Sequence, residues 1–127
     1  MRILDLSNTQ ITDGSLERLK DRKRLSVLNL SGTQISDAEL DQLNELKELK
    51  HLILTDTQIT DEGLEFIRWS AQLQELNLND TQITDAGLDQ VKWISGLELL
   101  HVSGTQVTDA GLEGLQKSLP ECRVSAN

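Results

Sequence analysis

Residues 76–88 read LNLNDTQITDAGL, and close copies of this stretch recur along the whole chain. The string TQ[I/V][T/S]D occurs five times at a constant spacing, and begins at Thr9, Thr33, Thr57, Thr81 and Thr105. Self-similarity at a fixed period of roughly 20 to 50 residues is the signature of a repeat protein whose units stack on one another. The sequence therefore predicts five structurally equivalent units.

Each unit combines two hydrophobic periods. Leu76 and Leu78 alternate with the period of a half-buried strand, whereas Leu88 and Val91 have the three-residue spacing of a helix face. A strand after every helix gives parallel strands with right-handed crossovers. We therefore predict an α/β, right-handed solenoid of five strand-turn-helix units with a parallel sheet on its concave side. Residues 1–127 would form one domain, with units starting near 1, 25, 49, 73 and 97 and a closing segment at 118–127.

The residues between the hydrophobic columns favour ordered turns and helix starts. A hydroxyl residue stands at the expected N-cap of each helix, namely Thr12, Ser36, Thr60, Thr84 and Thr108. Ser36 and Glu39 have the spacing of a capping box. The aspartates that follow, Asp13, Asp37, Asp61, Asp85 and Asp109, would favour the positive end of the helix dipole, which explains them without a metal. The threonines that start each TQ string are expected to satisfy backbone groups where the chain leaves the strand.

The unit L-x-x-L-x-L-x-x-T-x-I-T-D-x-G-L-x-x-L resembles a leucine-rich repeat over nearly the whole chain. It looks like the ribonuclease-inhibitor-like superfamily, closest to the cysteine-containing subclass of F-box proteins and many bacterial repeat proteins. Threonine replaces the usual Asn or Cys, and the repeat is slightly short for that subclass, so a bacterial repeat is favoured. Residues 118–124 resemble the closing segment of such arrays, which implies a final short strand with Cys122 and Val124 facing inward.

The acidic net charge of the chain limits the classes of molecule that it is expected to bind. With 21 acidic and 12 basic residues the net charge is −9, which disfavours nucleic acid and anionic membrane surfaces. No apolar run approaches the roughly 20 residues that span a bilayer, and the first residues soon turn polar, unlike a signal peptide. The single cysteine, Cys122, cannot form an internal disulfide. We therefore expect a cytoplasmic protein.

The outward strand positions form the expected concave face, and they differ in every unit while the core columns repeat. The candidate partner-binding residues are Val27, Asn29, His51, Ile53, Glu75, Asn77, Asn79, Leu99 and His101. Their mixed apolar and amide composition suits a protein or peptide partner. A solvated face with no ligand is the alternative. The family resemblance likewise favours a non-catalytic protein-interaction module over an enzyme.

Other chemistry finds little support in the sequence. His51 and His101 would lie about 10 Å apart or more across two strand spacings, too far to share a metal. No Ser-His-Asp arrangement or phosphate-binding loop is indicated, so no catalytic residue, cofactor or metal site is predicted. Weak calcium binding at Asp56 and Asp80, with Asn79 nearby, is a remote alternative. Carbohydrate binding is another remote alternative.

A structural segment of a larger assembly is the second functional hypothesis. The chain opens directly with a hydrophobic strand, so its N-terminal end could associate with another copy. On the convex side, Phe66, Trp69 and Trp93 are predicted to lie together on the outer surface of neighbouring helices, because the two tryptophans occupy equivalent positions of adjacent units. An exposed aromatic patch marks contact with another chain, unless the rings pack locally.

Overall fold

The computed structural model describes residues 2–11, 13–68 and 70–126, and in these residues six short parallel strands form one open sheet. The strands follow chain order: β1 (Arg2–Asp5), β2 (Leu25–Asn29), β3 (His51–Ile53), β4 (Glu75–Asn77), β5 (Leu99–His101) and β6 (Arg123–Ser125). A helix or helical turn connects each strand to the next. This is the predicted α/β solenoid, and β6 is the short strand expected in the closing segment.

The helices are shorter and tighter than the sequence suggests. They are α1 (Asp13–Leu16), which continues into the 3₁₀ helix η1 (Glu17–Asp21), then η2 (Asp37–Glu45), η3 (Gly63–Phe66), α2 (Asp85–Val91) and α3 (Asp109–Ser118). Only the last two units have a full α-helix, while η2 and η3 are 3₁₀ helices. An L-x-x-L pattern fits both forms, because residues three apart share one face in either of them.

The core lies between the sheet and the helices as columns of equivalent side chains. The strand register pairs Leu28 with Leu52, Leu52 with Leu76, and Leu76 with Leu100. These four leucines are at most 1% exposed. Leu4, the first member of the column, is only half-buried because β1 is the first strand of the sheet. Each unit therefore buries its apolar side chains against its neighbours.

The threonine that begins each TQ string closes the turn after the strand. The Thr33, Thr57 and Thr81 hydroxyls donate to the carbonyl oxygens three residues earlier, at 2.7 to 2.8 Å. All three threonines are buried. The accepting carbonyl groups lie just beyond the ends of the strands, and the threonine hydroxyls give them a hydrogen-bond partner within the protein. The predicted role of the threonines is confirmed.

The residue just before this threonine has a left-handed backbone in every unit. Asn8, Gly32, Asp56, Asp80 and Gly104 all have φ between 56° and 72°. Gly, Asn and Asp are the residues that tolerate this region. The turn therefore explains Asp56 and Asp80 without a cation.

The repeated aspartates do more than the sequence suggested, because they join neighbouring units. Asp61 Oδ1 accepts from the Thr84 backbone N–H at 2.7 Å, and Asp61 Oδ2 accepts from the Thr84 hydroxyl at 2.5 Å. Asp37 binds Thr60, and Asp85 binds Thr108, in the same way. We call each such pair an Asp–Thr clamp. The two bonds from Thr108, first the hydroxyl and then the amide, lower the pKa of Asp85.

The helix-cap expectation is correct in three units. Ser36 and Glu39 form the predicted capping box, and the hydroxyls of Thr84 and Thr108 each accept a backbone N–H of the following helix at 3.2 Å. Thr60 is not a cap, because η3 begins only at Gly63 and its N-cap position is Glu62. Thr12 lies outside the described residues.

Each clamp needs a close approach between two units. A Cβ on Gly63, Gly87 or Gly111 would lie within 2.5 Å of the Oδ1 atom of the clamp aspartate, so glycine leaves room for the carboxylate. In the second unit Glu39 stands at this glycine position. Its carboxylate accepts from the N–H of Ser36 at 2.7 Å and from its hydroxyl at 3.0 Å. In the second unit, which lacks the glycine, the carboxylate bound to Ser36 therefore comes from the same unit.

We predict that Leu76→Ala lowers the free energy of unfolding by about 2–5 kcal/mol, because it opens a cavity in a fully buried column. The matched control is Ile3→Ala, since Ile3 is 66% exposed on the first strand. Urea denaturation measures both. Equal losses for the two variants would contradict the column assignment.

We predict that Asp61→Ala costs about 1–3 kcal/mol, because both donors of Thr84 lose their acceptor. Asp109→Ala is the control: Asp109 lies in the first turn of α3, whereas Asp61 lies two residues before η3, and Asp109 is exposed in the last unit that carries the TQ string. A role limited to the helix dipole would make Asp109→Ala at least as damaging as Asp61→Ala in a thermal melt, whereas the clamp makes Asp61→Ala clearly worse.

Candidate functional site

The strand register aligns the outward side chains into two rows on the face of the sheet that points away from the core, which is the predicted concave face. The first row consists of Ile3, Val27, His51, Glu75, Leu99 and Arg123. The second row consists of Asp5, Asn29, Ile53, Asn77, His101 and Ser125. The candidate partner-binding residues on the strands therefore share one face, and Asn79 follows directly after β4. Arg123 and Ser125 join the rows because β6 extends the sheet.

A hydrogen-bonded cluster crosses the middle of this face. His51 Nδ1 lies 3.1 Å from Glu75 Oε1, and His101 Nε2 lies 3.1 Å from Glu75 Oε2. One carboxylate therefore bridges both histidines, and the three side chains are between 23% and 32% exposed. We call these three residues the His–Glu–His cluster. From the sequence we considered only whether the two histidines could share a metal ion, and we did not consider Glu75, which lies between them.

The cluster is built by strand order. His51 and Glu75 are register partners on β3 and β4, and His101 is on β5, two residues further along than the partner of Glu75. A separation of one repeat length, or slightly more, was the available signal, since it places two side chains on neighbouring strands of the solenoid. In the described part of the chain no group of three His, Cys, Asp or Glu residues is arranged to hold a metal ion. The cluster instead fixes the orientation of two imidazole rings at the surface.

The side-chain amide oxygens of the asparagines on this face accept hydrogen bonds that stabilise the fold. Asn77 Oδ1 accepts from the Asn79 N–H at 3.0 Å and from the Thr55 hydroxyl at 2.9 Å. Asn29 Oδ1 accepts from the Ser31 N–H at 3.0 Å. These bonds hold the chain as it leaves the strand. These two candidate asparagines therefore stabilise turns, and their side-chain amide oxygens are already hydrogen-bonded within the protein.

The acidic end of the second row follows the same pattern. Asp5 Oδ1 accepts from the Ser7 N–H at 2.9 Å. The Ser7 hydroxyl, and then this backbone amide, lower the pKa of the Asp5 carboxyl. Asn79 Oδ1 in turn accepts from the Ser103 N–H of the next unit at 2.7 Å. Side-chain oxygens thus organise the turns from the first unit to the last.

Apolar side chains flank the polar cluster. Val27 precedes His51 in the first row, and Leu99 follows Glu75 in the same row. Ile53 lies between Asn29 and Asn77 in the second row. All three apolar residues are half-exposed. A half-exposed apolar surface around oriented polar groups has the composition of a protein interface.

Of the predicted convex aromatic patch, Trp93 is exposed as expected, whereas Phe66 is not. Trp93 is 55% exposed, with the Lys92 Nζ atom 5.7 Å from its ring centroid. Phe66 instead is half-buried and packs against the core. It ends a 3₁₀ helix, where three residues per turn change the angle on which the prediction relied. Trp69 lies outside the described residues.

Cys122 takes the inward position that the closing segment implied. Its side chain is 3% exposed, and burial raises the pKa of the thiol. Val124 is half-buried against the same core. A thiol with a raised pKa carries little thiolate at neutral pH, so Cys122 belongs to the packing of the last unit.

We predict that Asn77→Ala lowers the free energy of unfolding by about 1–2 kcal/mol, because two donors lose their acceptor. Asn77→Asp is the matched control, because it keeps an accepting oxygen at the same position, and it should cost less. Guanidinium denaturation compares them. Equal losses for the two variants would contradict the structural role of the amide oxygen.

Comparisons with known proteins agree with this architecture. The helices within residues 2–11, 13–68 and 70–126 are all too short and too polar to span a bilayer. No curated protein matches the sequence significantly. A leucine-rich repeat protein of Leptospira interrogans is similar in structure, with a TM-score of 0.66, 21% identity, and coverage of 98% of this chain and 37% of that one. At that identity the likeness concerns the fold.

Two internalins of Listeria monocytogenes are more similar, both with a TM-score of 0.81 over 100% of this chain. The first, internalin F, is 27% identical, and internalin C2 is 26% identical. The chain covers 34% of the first protein and 52% of the second, so it spans only part of their length. A family model described as a leucine-rich repeat matches residues 1–20, 47–67, 71–90 and 97–115, which are 80 of the 127 residues. The chain belongs to the leucine-rich repeat family.

Proposed function

We propose that this chain is a non-catalytic protein-interaction module that binds a protein or peptide on its concave face. Leucine-rich repeat proteins are generally modules of this kind. The observation that carries the proposal is the contrast between the faces of one strand: the inward leucines repeat from unit to unit, whereas the outward rows change at every rung. The fold uses only some of the outward residues, such as Asn29 and Asn77 in their turns, so the others are free to match a partner.

The chemistry of the face supports this choice. The His–Glu–His cluster presents two oriented rings, and Val27, Ile53 and Leu99 supply half-exposed apolar surface around it. Rigid, pre-oriented groups bind with a smaller loss of side-chain entropy than mobile ones do. A partner that places apolar side chains over Ile53 and Leu99 and a polar group at the cluster would fit both rows.

The bacterial character of the repeat remains part of the proposal. The sequence resembles the ribonuclease-inhibitor-like, cysteine-containing subclass in its bacterial form. The similar structures come from Listeria monocytogenes and Leptospira interrogans, which are both bacteria. We infer that the chain is a bacterial protein and that its partner is a protein that a bacterium contacts.

The test is affinity capture with two double variants. Ile53→Asp with Leu99→Glu adds two negative charges to the apolar part of the concave face and spares the hydrogen-bonded asparagines. Ala86→Asp with Ala110→Glu adds the same charges to exposed helix positions on the convex side. We expect a partner that the wild type and the convex variant retain and the concave variant loses. Equal capture by all three would refute the concave site.

A second candidate function is end-on association with another copy. Ile3 is 66% exposed, and Leu4 and Leu6 are only half-buried. A cleft of about 470 Å³, lined in part by Ile3, Leu4 and Leu25, opens at this end of the solenoid. An apolar end layer of a solenoid is stabilised when another unit or a cap covers it.

This second function predicts concentration-dependent assembly. Ile3→Glu should abolish self-association in sedimentation velocity, because it places a charge in the exposed apolar layer. Trp93→Glu on the convex surface serves as the control and should assemble like the wild type. A wild-type chain that stays monomeric at high concentration would overturn the end-on hypothesis.

A further inference from the structure

The charges of this acidic chain are unevenly distributed. Residues 1–50 carry eight of the 12 basic residues against nine acidic ones, a balance of −1. Residues 51–127 carry four basic and 12 acidic residues, a balance of −8. Since sequence order is spatial order in this solenoid, one end of the molecule is close to neutral and the other is strongly negative.

The basic residues converge at the edge of the sheet where the first strands begin. A cleft of about 510 Å³ lies there, and four of its lining residues are basic: Arg2, Arg24, Lys47 and Lys50. Glu48 is the acidic residue of its lining. All four basic residues are exposed, and we call this site the basic cleft.

In the described part of the chain, none of these four cations forms an ion pair with a carboxylate. Within the described residues, the ion pairs join Lys23 to Glu45 at 3.9 Å and Glu75 to the two histidines. None of the four basic side chains of the cleft takes part in these pairs. Four cations held near one another repel, and a ligand with several negative charges would relieve that repulsion.

The opposite end of the same edge has the opposite sign. A second cleft, of about 470 Å³, includes Glu75, Glu98 and Glu121, together with Arg123. Glu98 and Glu121 are exposed. An acidic ligand that approaches this edge is therefore attracted at the first units and repelled at the last ones, which selects both its position and its orientation.

We propose that the basic cleft binds an acidic segment of the partner protein that the concave face recognises. The cleft is continuous with that face, because Lys50 directly precedes His51 and Ser26 of the cleft directly precedes Val27. A peptide spaces its carboxylates along a flexible chain and can place a few of them in the cleft alone. A nucleic acid carries charge along its entire length and would be repelled by the remainder of the molecule. This inference rests on the proposed protein-binding function and adds the chemistry of the partner.

The experiment measures the binding of a fluorescein-labelled hexaglutamate peptide by fluorescence anisotropy, with the whole chain, at roughly 0.05 M salt. Lys47→Glu with Lys50→Glu should weaken binding about tenfold, since each change turns an attraction into a repulsion. The matched control is Lys92→Glu with Lys117→Glu, which changes the net charge equally on the convex side. The control should bind within about twofold of the wild type, and circular dichroism checks that both variants fold.

Three results would overturn the proposal. The first is no binding of hexaglutamate by the wild type at low salt. The second is an equal loss in both double variants, which would reflect net charge alone. The third is tighter binding of a short oligothymidylate than of hexaglutamate, which would make the ligand a nucleic acid. The probe is a defined peptide, so the result is independent of whether affinity capture supports the concave face.

Discussion

The Asp–Thr clamp holds the register on which the solenoid depends. A single unit is too short to bury its own leucines, so every unit relies on its neighbours to cover them. The clamp ties a carboxylate of one unit to both the backbone N–H and the hydroxyl of the next unit. A shift in register would break two hydrogen bonds per interface and displace the leucine columns together. Polar and apolar interactions thus specify the same stacking.

That stacking divides the positions of each unit into two classes. Leucines of the columns, the turn threonine, the left-handed turn residue and the clamp aspartate are required by the fold, so they repeat. Most outward strand positions have no such requirement, although Asp5, Asn29 and Asn77 hold their turns. Neighbouring units combine at these positions to make surfaces that no unit has alone. The His–Glu–His cluster draws one side chain from each of three strands. The proposed binding function therefore rests on the differences between units.

Much of the fold could be predicted from sequence, because its determinants lie within a single unit. The strand positions, the core columns, and the bonds of Thr33, Thr57 and Thr81 all follow from local spacing, whereas the start of η3 at Gly63 does not. The Asp–Thr clamp and the bridging role of Glu75 could not be found in this way, since both join side chains of different units. A local explanation, the helix dipole, already accounted for the aspartates. The glycine two residues after Asp61 and Asp85 was the available hint, and the replacement of this glycine by Glu39 in the second unit was another.

The same logic connects the concave face with the edge beside it. Adjacent residues of one strand alternate between the outward face and the core. The residues just before a strand line the clefts at the edge of the sheet, so a binding surface can continue from the outward face to this edge. Lys50 and His51 are consecutive in sequence, yet one contributes charge to the basic cleft and the other an oriented ring to the cluster. Along the solenoid the edge changes from basic to acidic while the face remains mixed. A partner that contacts both surfaces has only one orientation in which its acidic segment avoids Glu98 and Glu121. Charge at the edge would therefore set the direction of binding, and shape and hydrogen bonding on the face would set its specificity.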